Sequence, residues 1–179
     1  MQVDHVEIND KTLGVVGAGH IGREVIKVAQ ALGMKILAYD ANAKGDEPGI
    51  HFTTLEEVLS QSDYVTLHCP LMAQTHHIIN KDTLALMKPT AFIINTARGP
   101  LIDEAALIEA LKEGRIAGAG LDVQEVEPPA DDNPLYQMEN VILTPHMGWR
   151  GLETRQRLVS ILADDIKNYL NGTPINVVS

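Results

Sequence analysis

The 179-residue sequence contains a single cysteine and a single tryptophan, and it has far fewer basic residues than acidic ones. A lone thiol, Cys69, cannot form a disulfide within the chain, and this favours a reducing compartment such as the cytoplasm. The chain has 14 Lys and Arg residues against 24 Asp and Glu residues, so its formal charge is −10. No basic patch is therefore expected to neutralise the phosphates of a nucleic acid or of an anionic membrane.

Long apolar runs are also missing, since no stretch approaches the roughly 20 residues that a membrane span requires. The histidines lack the spacing of metal ligands, because His76 and His77 would point apart in an extended chain and His5, His51 and His68 are scattered. Neither a membrane nor a metal is expected as a partner. The 45% of apolar residues and 21% of charged residues are instead typical of a globular α/β or similar domain with a sizeable core.

Apolar stretches with strand and helix patterns alternate along the chain. Strands are predicted at 13–16, 35–39, 64–68, 91–95, 116–123 and 141–144, and helices at 20–32, from 55, at 81–87, at 103–113 and at 153–170. This alternation predicts right-handed βαβ units, and the almost continuously apolar strands indicate that helices cover both faces of the sheet. The expected fold is an α/β, Rossmann-type doubly wound parallel sheet in three layers, with residues 1–179 forming one domain. The last helix is expected to pack against the sheet.

A G-x-G-x-x-G stretch follows the first predicted strand and opens the first helix. Gly17 would allow the tight turn, Gly19 would let the backbone approach a pyrophosphate, and Gly22 would allow close packing of helix on strand. The helix that begins near His20 would offer free amides and a positive dipole end to the phosphates. Asp40, at the end of the second strand, would bind the ribose hydroxyls and repel a 2′-phosphate, which favours NAD over NADP.

Three polar residues, Arg98, Glu127 and His146, each follow a predicted strand. The loops beyond the carboxyl ends of parallel strands converge on one crevice, so these side chains are expected to meet there. Arg can grip a substrate carboxylate with two hydrogen bonds, His can transfer a proton near neutral pH, and Glu can hold that proton. Together they predict hydride transfer to a small 2-oxo acid. Methyl transfer from S-adenosylmethionine would also suit the glycine-rich loop, but it would leave these three residues unexplained.

These residues stand in motifs that resemble the nucleotide-binding domain of the D-isomer-specific 2-hydroxyacid dehydrogenases. The resemblance runs from about Lys11 to Val178. Besides the glycine-rich turn, it rests on the segments LHCPL at 67–71, INTARG at 94–99, GLDV at 120–123, EP at 127–128 and TPH at 144–146. Within the family, residues 133–135, 146–149 and 155–158 are most similar to the glycerate dehydrogenase (hydroxypyruvate reductase) branch.

The resemblance implies a role for each matching residue. Arg98 would bind the substrate carboxylate and the reacting oxygen. His146 would donate the proton in reduction and accept it in oxidation, and Glu127 would orient His146. Asp122 would bind the nicotinamide carboxamide, and Asp40 the ribose. The other residues expected to contact NAD are Gly17, Gly19, His20, Ile21, Gly22, Cys69, Pro70, Thr75, Thr96, Ala97, Gly148 and Trp149, with Arg98 and His146 also beside it.

The family builds its substrate domain and a helical dimerisation arm ahead of the nucleotide-binding domain, whereas the first predicted strand here begins soon after Met1. We expect these parts to be absent, the chain being an excised domain or a shortened gene product that binds NAD without efficient turnover. The parent is expected to be a cytoplasmic, homodimeric, NAD-dependent enzyme acting on a small 2-hydroxy or 2-oxo acid such as hydroxypyruvate or glyoxylate. The alternative is a non-catalytic NAD-binding sensor, a corepressor-like module or a degenerate remnant.

Overall fold

The computed structural model describes residues 6–177. His5 and the rest of the first five residues lie outside the described residues, as does Val178, the last residue of the family resemblance. The chain divides into two compact units, Met1–Pro145 and His146–Ser179. Each unit is described by itself.

The first unit is built on a sheet of seven parallel strands. The strands are β1 Thr12–Val16, β2 Lys35–Tyr39, β3 His51–Phe52, β4 Tyr64–Leu67, β5 Phe92–Asn95, β6 Gly118–Leu121 and β7 Val141–Leu143. They lie in the order β3-β2-β1-β4-β5-β6-β7, and every neighbouring pair is parallel. The direction of winding reverses between β1 and β4, and in such sheets this switch point opens the crevice that binds nucleotides. The predicted α/β, Rossmann-type fold class is confirmed.

Four helices of the first unit connect these strands: α1 His20–Ala31, α2 Leu55–Gln61, α3 Lys81–Leu86 and α4 Glu104–Lys112. Side chains accept hydrogen bonds from the first-turn amides of three of them, namely Thr54 at α2, Asn80 at α3 and Asp103 at α4. Among the described residues no side chain caps α1, whose N-cap residue is Gly19. The amides at the start of α1 are therefore left to another partner, as a phosphate-binding helix requires.

Two apolar cores lie on opposite faces of the sheet. Leu13 and Val15 of β1 belong to one core, which also contains Ile26 of α1. Val16, the next residue of β1, belongs to the other core, where residues of α2, α3 and α4 pack. Because successive side chains of a strand point to opposite faces, the sheet forms the middle of three layers.

Two strands differ from the sequence-based expectation. The two-residue strand β3 was not predicted, because a strand this short carries no periodic signal. The strand expected at 116–123 is confined to β6, Gly118–Leu121. β6 ends at Leu121, and the side chain of the next residue, Asp122, accepts a hydrogen bond from the hydroxyl of Thr144.

The second unit contains the 19-residue helix α5, Leu152–Leu170. None of its residues is buried, and Leu158 is 64% exposed and Leu162 56%. The expected packing of this helix against the sheet involves both units and stays a prediction. An amphipathic pattern specifies a face of a helix but not the surface that covers it. Within residues 6–177, no helix is both long and apolar enough to cross a membrane.

Candidate functional site

The glycine-rich turn between β1 and α1 leaves no room for side chains at two positions. Gly17 has a φ of +96°, and a Cβ there would lie 2.5 Å from the backbone nitrogen of Cys69. A Cβ on Gly22 would lie 2.2 Å from the carbonyl oxygen of Gly17. In contrast, a Cβ on Gly19 would meet nothing within 4 Å. The turn is therefore packed on its inner side and open at Gly19, where a phosphate can approach the backbone.

The start of α1 and the end of β2 lie beside this open turn. His20 and Ile21 are both exposed in the first turn of the helix. Asp40, just after β2, accepts hydrogen bonds from the backbone nitrogens of Ala18 and Asn42, each at 2.8 Å. These bonds fix the carboxylate against the turn, and each oxygen retains a second lone pair for a ribose hydroxyl. The geometry fits a dinucleotide.

A cleft of about 370 Å³ adjoins Asp40 and is lined by Arg23, Lys44 and Glu47, among others. We call it the ribose cleft. It contains two acidic and two basic side chains. Sequence reasoning did not single out Arg23 or Glu47, because nothing in the sequence pairs a residue of α1 with one in the loop 24 positions later.

The loop after β4 carries three of the predicted cofactor contacts: Cys69, Pro70 and Thr75. The hydroxyl of Thr75 donates to the carbonyl oxygen of Pro70 at 2.6 Å and accepts from the backbone nitrogen of Met72 at 2.8 Å, so it holds the loop closed. Cys69 packs against the core, and burial raises the pKa of its thiol. A thiol that resists ionisation is a poor nucleophile, which supports a packing role for Cys69.

Arg98 lies in a loop that a buried amide holds in shape. The side chain of Asn95, at the end of β5 and only 1% exposed, accepts from the nitrogen of Ala97 at 3.0 Å and donates to the carbonyl oxygen of Arg98 at 2.9 Å. Thr96 and Arg98 remain exposed on the loop. Asn95 was missed as a functional residue, although its place just before the predicted catalytic arginine was a signal for it.

The Arg98 loop touches the loop that carries Glu127. A Cβ on Gly99 would lie 1.8 Å from the carbonyl oxygen of Gln124, so the two backbones cross in direct contact. Glu127 is exposed, and its carboxylate accepts from the nitrogen of Gln124 at 3.0 Å. We call residues 96–99 and 122–127 the paired loops. The first unit thus brings Arg98 and Glu127 onto neighbouring loops beyond β5 and β6.

A network of half-buried polar groups holds the paired loops to α4. Glu104 and Glu125 are reciprocally bonded, since each carboxylate accepts from the backbone nitrogen of the other, at 3.0 and 3.1 Å. His77 lies 2.7 Å from the second carboxylate oxygen of Glu125, and Asn133 donates to Glu104 at 2.8 Å. Sequence reasoning did not identify this network, because its members come from four separate segments of the chain.

The two adjacent histidines differ from expectation. His77 has a φ of +50°, and its ring lies close to that of His76, with centroids 3.9 Å apart and planes tilted by 31°, where an extended chain would have pointed the rings apart. His77 then pairs with Glu125 rather than with a metal ligand set. Across the described residues, no group of three His, Cys, Asp or Glu side chains is arranged to hold a metal ion.

Asp122, the predicted carboxamide ligand, is a buried acidic side chain, 8% exposed. Its backbone nitrogen donates to the carbonyl oxygen of Asn95 at 2.9 Å, and its carboxylate accepts from the hydroxyl of Thr144. Asp122 is thus fixed between the ends of β5 and β7, and it lies in the same stretch of chain as Glu127.

His146 begins the second unit and has a φ of +47°. The indole nitrogen of Trp149 donates to the carbonyl oxygen of His146 at 2.9 Å, which closes a tight turn through Gly148. The guanidinium of Arg155 lies 5.9 Å from the centre of the Trp149 ring. The meeting of His146 with Arg98 and Glu127 stays a prediction, as do the individual site roles.

Comparison with known proteins decides the family. Residues 1–148 match the family described as "D-isomer specific 2-hydroxyacid dehydrogenase, NAD binding domain". The chain belongs to this family. The predictions of the family and of NAD as its cofactor are therefore confirmed.

Individual relatives agree with the predicted branch. The chain is 46% identical over 176 residues to a hydroxypyruvate reductase of Blautia hydrogenotrophica, a match that covers 97% of this chain and 55% of the relative. It is 45% identical over 174 residues to a glycerate dehydrogenase of Methylorubrum extorquens, covering 96% and 54%. The solved structure of D-lactate dehydrogenase with NAD+ from Lactobacillus jensenii is similar with a TM-score of 0.90 at 39% identity, covering 97% of this chain and 57% of that one. The chain thus spans about half the length of these proteins.

Proposed function

We propose that this chain is the NAD-binding half of an NAD-dependent D-2-hydroxyacid dehydrogenase that interconverts a small 2-oxo acid, such as hydroxypyruvate or glyoxylate, with its D-2-hydroxy acid. The observation that carries the proposal is the backbone contact between Gly99 and Gln124, which sets Arg98 and Glu127 on touching loops at the carboxyl edge of the sheet. Bound NADH would supply the hydride.

Residues of this chain bind the substrate, transfer the proton and orient the reacting groups. The guanidinium of Arg98 binds the substrate carboxylate in a planar two-pronged contact and steadies the oxygen that gains negative charge. His146 donates a proton to that oxygen in reduction and takes it back in oxidation. The carboxylate of Glu127 orients the imidazole of His146 and balances its charge. Asp122 holds the carboxamide of the nicotinamide ring.

The chain by itself is expected to bind NADH with negligible turnover. The open turn at Gly19 and the fixed carboxylate of Asp40 both belong to this chain, which supports binding of the dinucleotide by the chain itself. Catalysis also needs the substrate held in near-attack geometry with water excluded, which takes a second wall of the cleft.

Trp149 makes the binding test direct, because it is the sole tryptophan. Titration with NADH should quench its emission and show energy transfer to the bound nicotinamide, while hydroxypyruvate and glyoxylate stay unreduced. Robust turnover by the isolated chain would refute the expectation that catalysis needs a second wall of the cleft. A folded chain that fails to bind NADH, by calorimetry as well as by fluorescence, would refute the proposed cofactor role.

The catalytic assignment is tested in a full-length enzyme that contains this chain. Arg98→Lys should cost far more kcat/KM than a charge-conserving change elsewhere, since Lys cannot make the planar contact. Arg115→Lys is the matched control, because Arg115 pairs with Glu113 on the surface. An equal and small effect of both substitutions would remove Arg98 from the mechanism.

The proposal extends to a full-length protein that is a homodimer in the cytoplasm. The cytoplasmic location is supported by the single thiol, Cys69, which is half-buried and cannot form a disulfide within the chain. Sedimentation of the full-length protein tests the assembly, and a monomeric mass would contradict it.

A further inference from the structure

The ribose cleft holds an ion pair that none of the proposed roles uses. Arg23 lies on α1, one turn after Gly19, and it reaches across the cleft to Glu47 in the loop after β2. The two guanidinium nitrogens Nη1 and Nη2 lie 2.6 and 2.8 Å from the two carboxylate oxygens of Glu47. This bidentate contact uses the same fork of donors with which an arginine binds phosphate.

The loop is anchored so that Glu47 stays beside Arg23. Glu47 and Ile50 exchange two backbone hydrogen bonds, at 3.1 and 2.9 Å. On one side the side chain of Gln30, from α1, donates to the carbonyl oxygen of Gly49 at 2.9 Å. On the other side Asp46 bonds both the ring of His51 and the nitrogen of Phe52, each at 2.8 Å.

The charges of the cleft balance only because Glu47 is present. Arg23 and Lys44 contribute two positive charges, and Asp40 and Glu47 two negative ones. The hydrogen bond from Arg23 lowers the pKa of Glu47, so this carboxylate remains charged at neutral pH, and Arg23 also interacts electrostatically with Asp40. Without Glu47, the cleft would carry a net charge of about +1 and a free guanidinium.

A cofactor with a 2′-phosphate brings about −1.5 to −2 charges to the ribose that Asp40 faces. To bind it, the cleft would have to offer cationic donors. Of the two that line it, Lys44 is a flexible point charge, whereas Arg23 carries the planar fork that matches a phosphate. We propose that Glu47 determines cofactor specificity by occupying Arg23, so that the phosphate of NADPH meets the carboxylate of Asp40 with no guanidinium available to bind it. This inference rests on the proposed function, namely that the chain binds NADH.

The test compares the affinities of the chain for NADH and NADPH by isothermal titration calorimetry. Glu47→Gln keeps the size of the side chain but removes the charge that holds Arg23. NADPH should then bind about tenfold more tightly, because a released arginine can make a charge-assisted contact with the phosphate. The affinity for NADH should gain far less, because NADH has a ribose hydroxyl in place of this phosphate and shares only the pyrophosphate with NADPH.

Two further variants test whether the gain in NADPH affinity comes from the release of Arg23. Glu24→Gln removes one negative charge from α1, the helix that carries Arg23, but Glu24 pairs with Lys27 and not with Arg23. The NADPH affinity of this variant should stay near that of the unmodified chain. The double variant Glu47→Gln with Arg23→Gln should lose the gain in NADPH affinity. The gain should also shrink as salt is raised from 50 to about 300 mM, because the contact is exposed.

The possible outcomes separate the two claims. An unmodified, folded chain that does not bind NADH would overturn the proposed function. The specificity role would be overturned if the chain binds NADH but Glu47→Gln lowers the affinities for both cofactors alike or leaves the ratio of the two affinities unchanged. The ion pair would then only hold the loop in place. An equal gain in Glu24→Gln, or a gain that survives the loss of Arg23, would overturn it as well.

Discussion

The ribose cleft and the paired loops lie at the same edge of the sheet, yet they are held by different chemistry. At the ribose cleft, Arg23 and Glu47 are 43% and 42% exposed and bind each other side chain to side chain. At the paired loops, Asn95, which directly precedes the first loop, is 1% exposed and the side chain of Glu125 is 29% exposed, and both bind backbone groups.

The difference distinguishes contacts that can be substituted without loss of the fold from contacts that the fold requires. An exposed ion pair exchanges water for a partner at little net gain, so it can be replaced without harm to the fold. A buried side chain that satisfies backbone groups leaves them unpaired when it is lost, and this is costly. Cofactor choice should therefore vary easily by substitution, whereas the geometry of Arg98 and Glu127 should not.

The largest effect is expected where the paired loops touch. Gly99→Ala places a Cβ against the backbone of Gln124, and backbone cannot yield as a flexible side chain does. We expect a loss of about 3 kcal/mol in the free energy of unfolding, measured by urea denaturation. Gly19→Ala is the control, because its Cβ meets open space and its stability should be nearly unchanged. Equal stabilities of the two variants would show that the paired loops separate freely.

The buried amide of the Arg98 loop should come next. Asn95→Ala removes the partner of both Ala97 and Arg98, at a cost of about 2 kcal/mol in the free energy of unfolding. Asn140→Ala is the comparison, since that exposed side chain makes a single long bond of 3.3 Å to the backbone. If both substitutions cost the same, burial is not what makes the paired loops rigid.

A Glu→Ala substitution can be made both at the paired loops and at the ribose cleft. Glu125→Ala leaves the nitrogen of Glu104 without its acceptor at the start of α4, and we expect a loss of about 1 kcal/mol in the free energy of unfolding. Glu47→Ala should lower the free energy of unfolding by less than Glu125→Ala does, because both members of the Arg23–Glu47 pair are exposed. The opposite ranking, measured by calorimetry in one buffer, would refute the contrast between the two regions.

The smallest effect concerns two histidines of opposite behaviour. The hydrogen bond to Asp46 raises the pKa of His51 above 6.5, whereas burial lowers the pKa of His68 below 6.5. Protonated His51 therefore stabilises the fold below pH 6.5, and this contribution is lost as the pH rises through its raised pKa. For His68 the sign is reversed, because its protonation as the pH falls below 6.5 destabilises the fold.

Proton NMR of the imidazole C–H groups should show the two titrations on either side of 6.5. Asp46→Asn should move the pKa of His51 back toward 6.5 and leave that of His68 in place. Coincident titrations of the two rings would mean that neither the ion pair nor the burial persists in solution.

Most of the architecture was readable in the sequence, because it rests on local signals. The period of apolar residues specified α1 and β2, and the cap at Thr54 marked the start of α2. The G-x-G-x-x-G pattern placed the nucleotide turn, since only glycine tolerates the contacts at Gly17 and Gly22. The family resemblance assigned roles to Arg98, Glu127 and His146, and these roles stay predictions.

Tertiary structure alone decided which distant residues meet. The pair of Arg23 with Glu47 and the network of Glu104 with Glu125 join segments on different elements, and nothing in a local pattern encodes such a pairing. For α5 the sequence specifies an apolar face but not the surface that this face contacts. Short-range backbone preferences and periodicity belong to the chain itself, whereas side-chain partnership arises only when the sheet order brings separate loops to one edge.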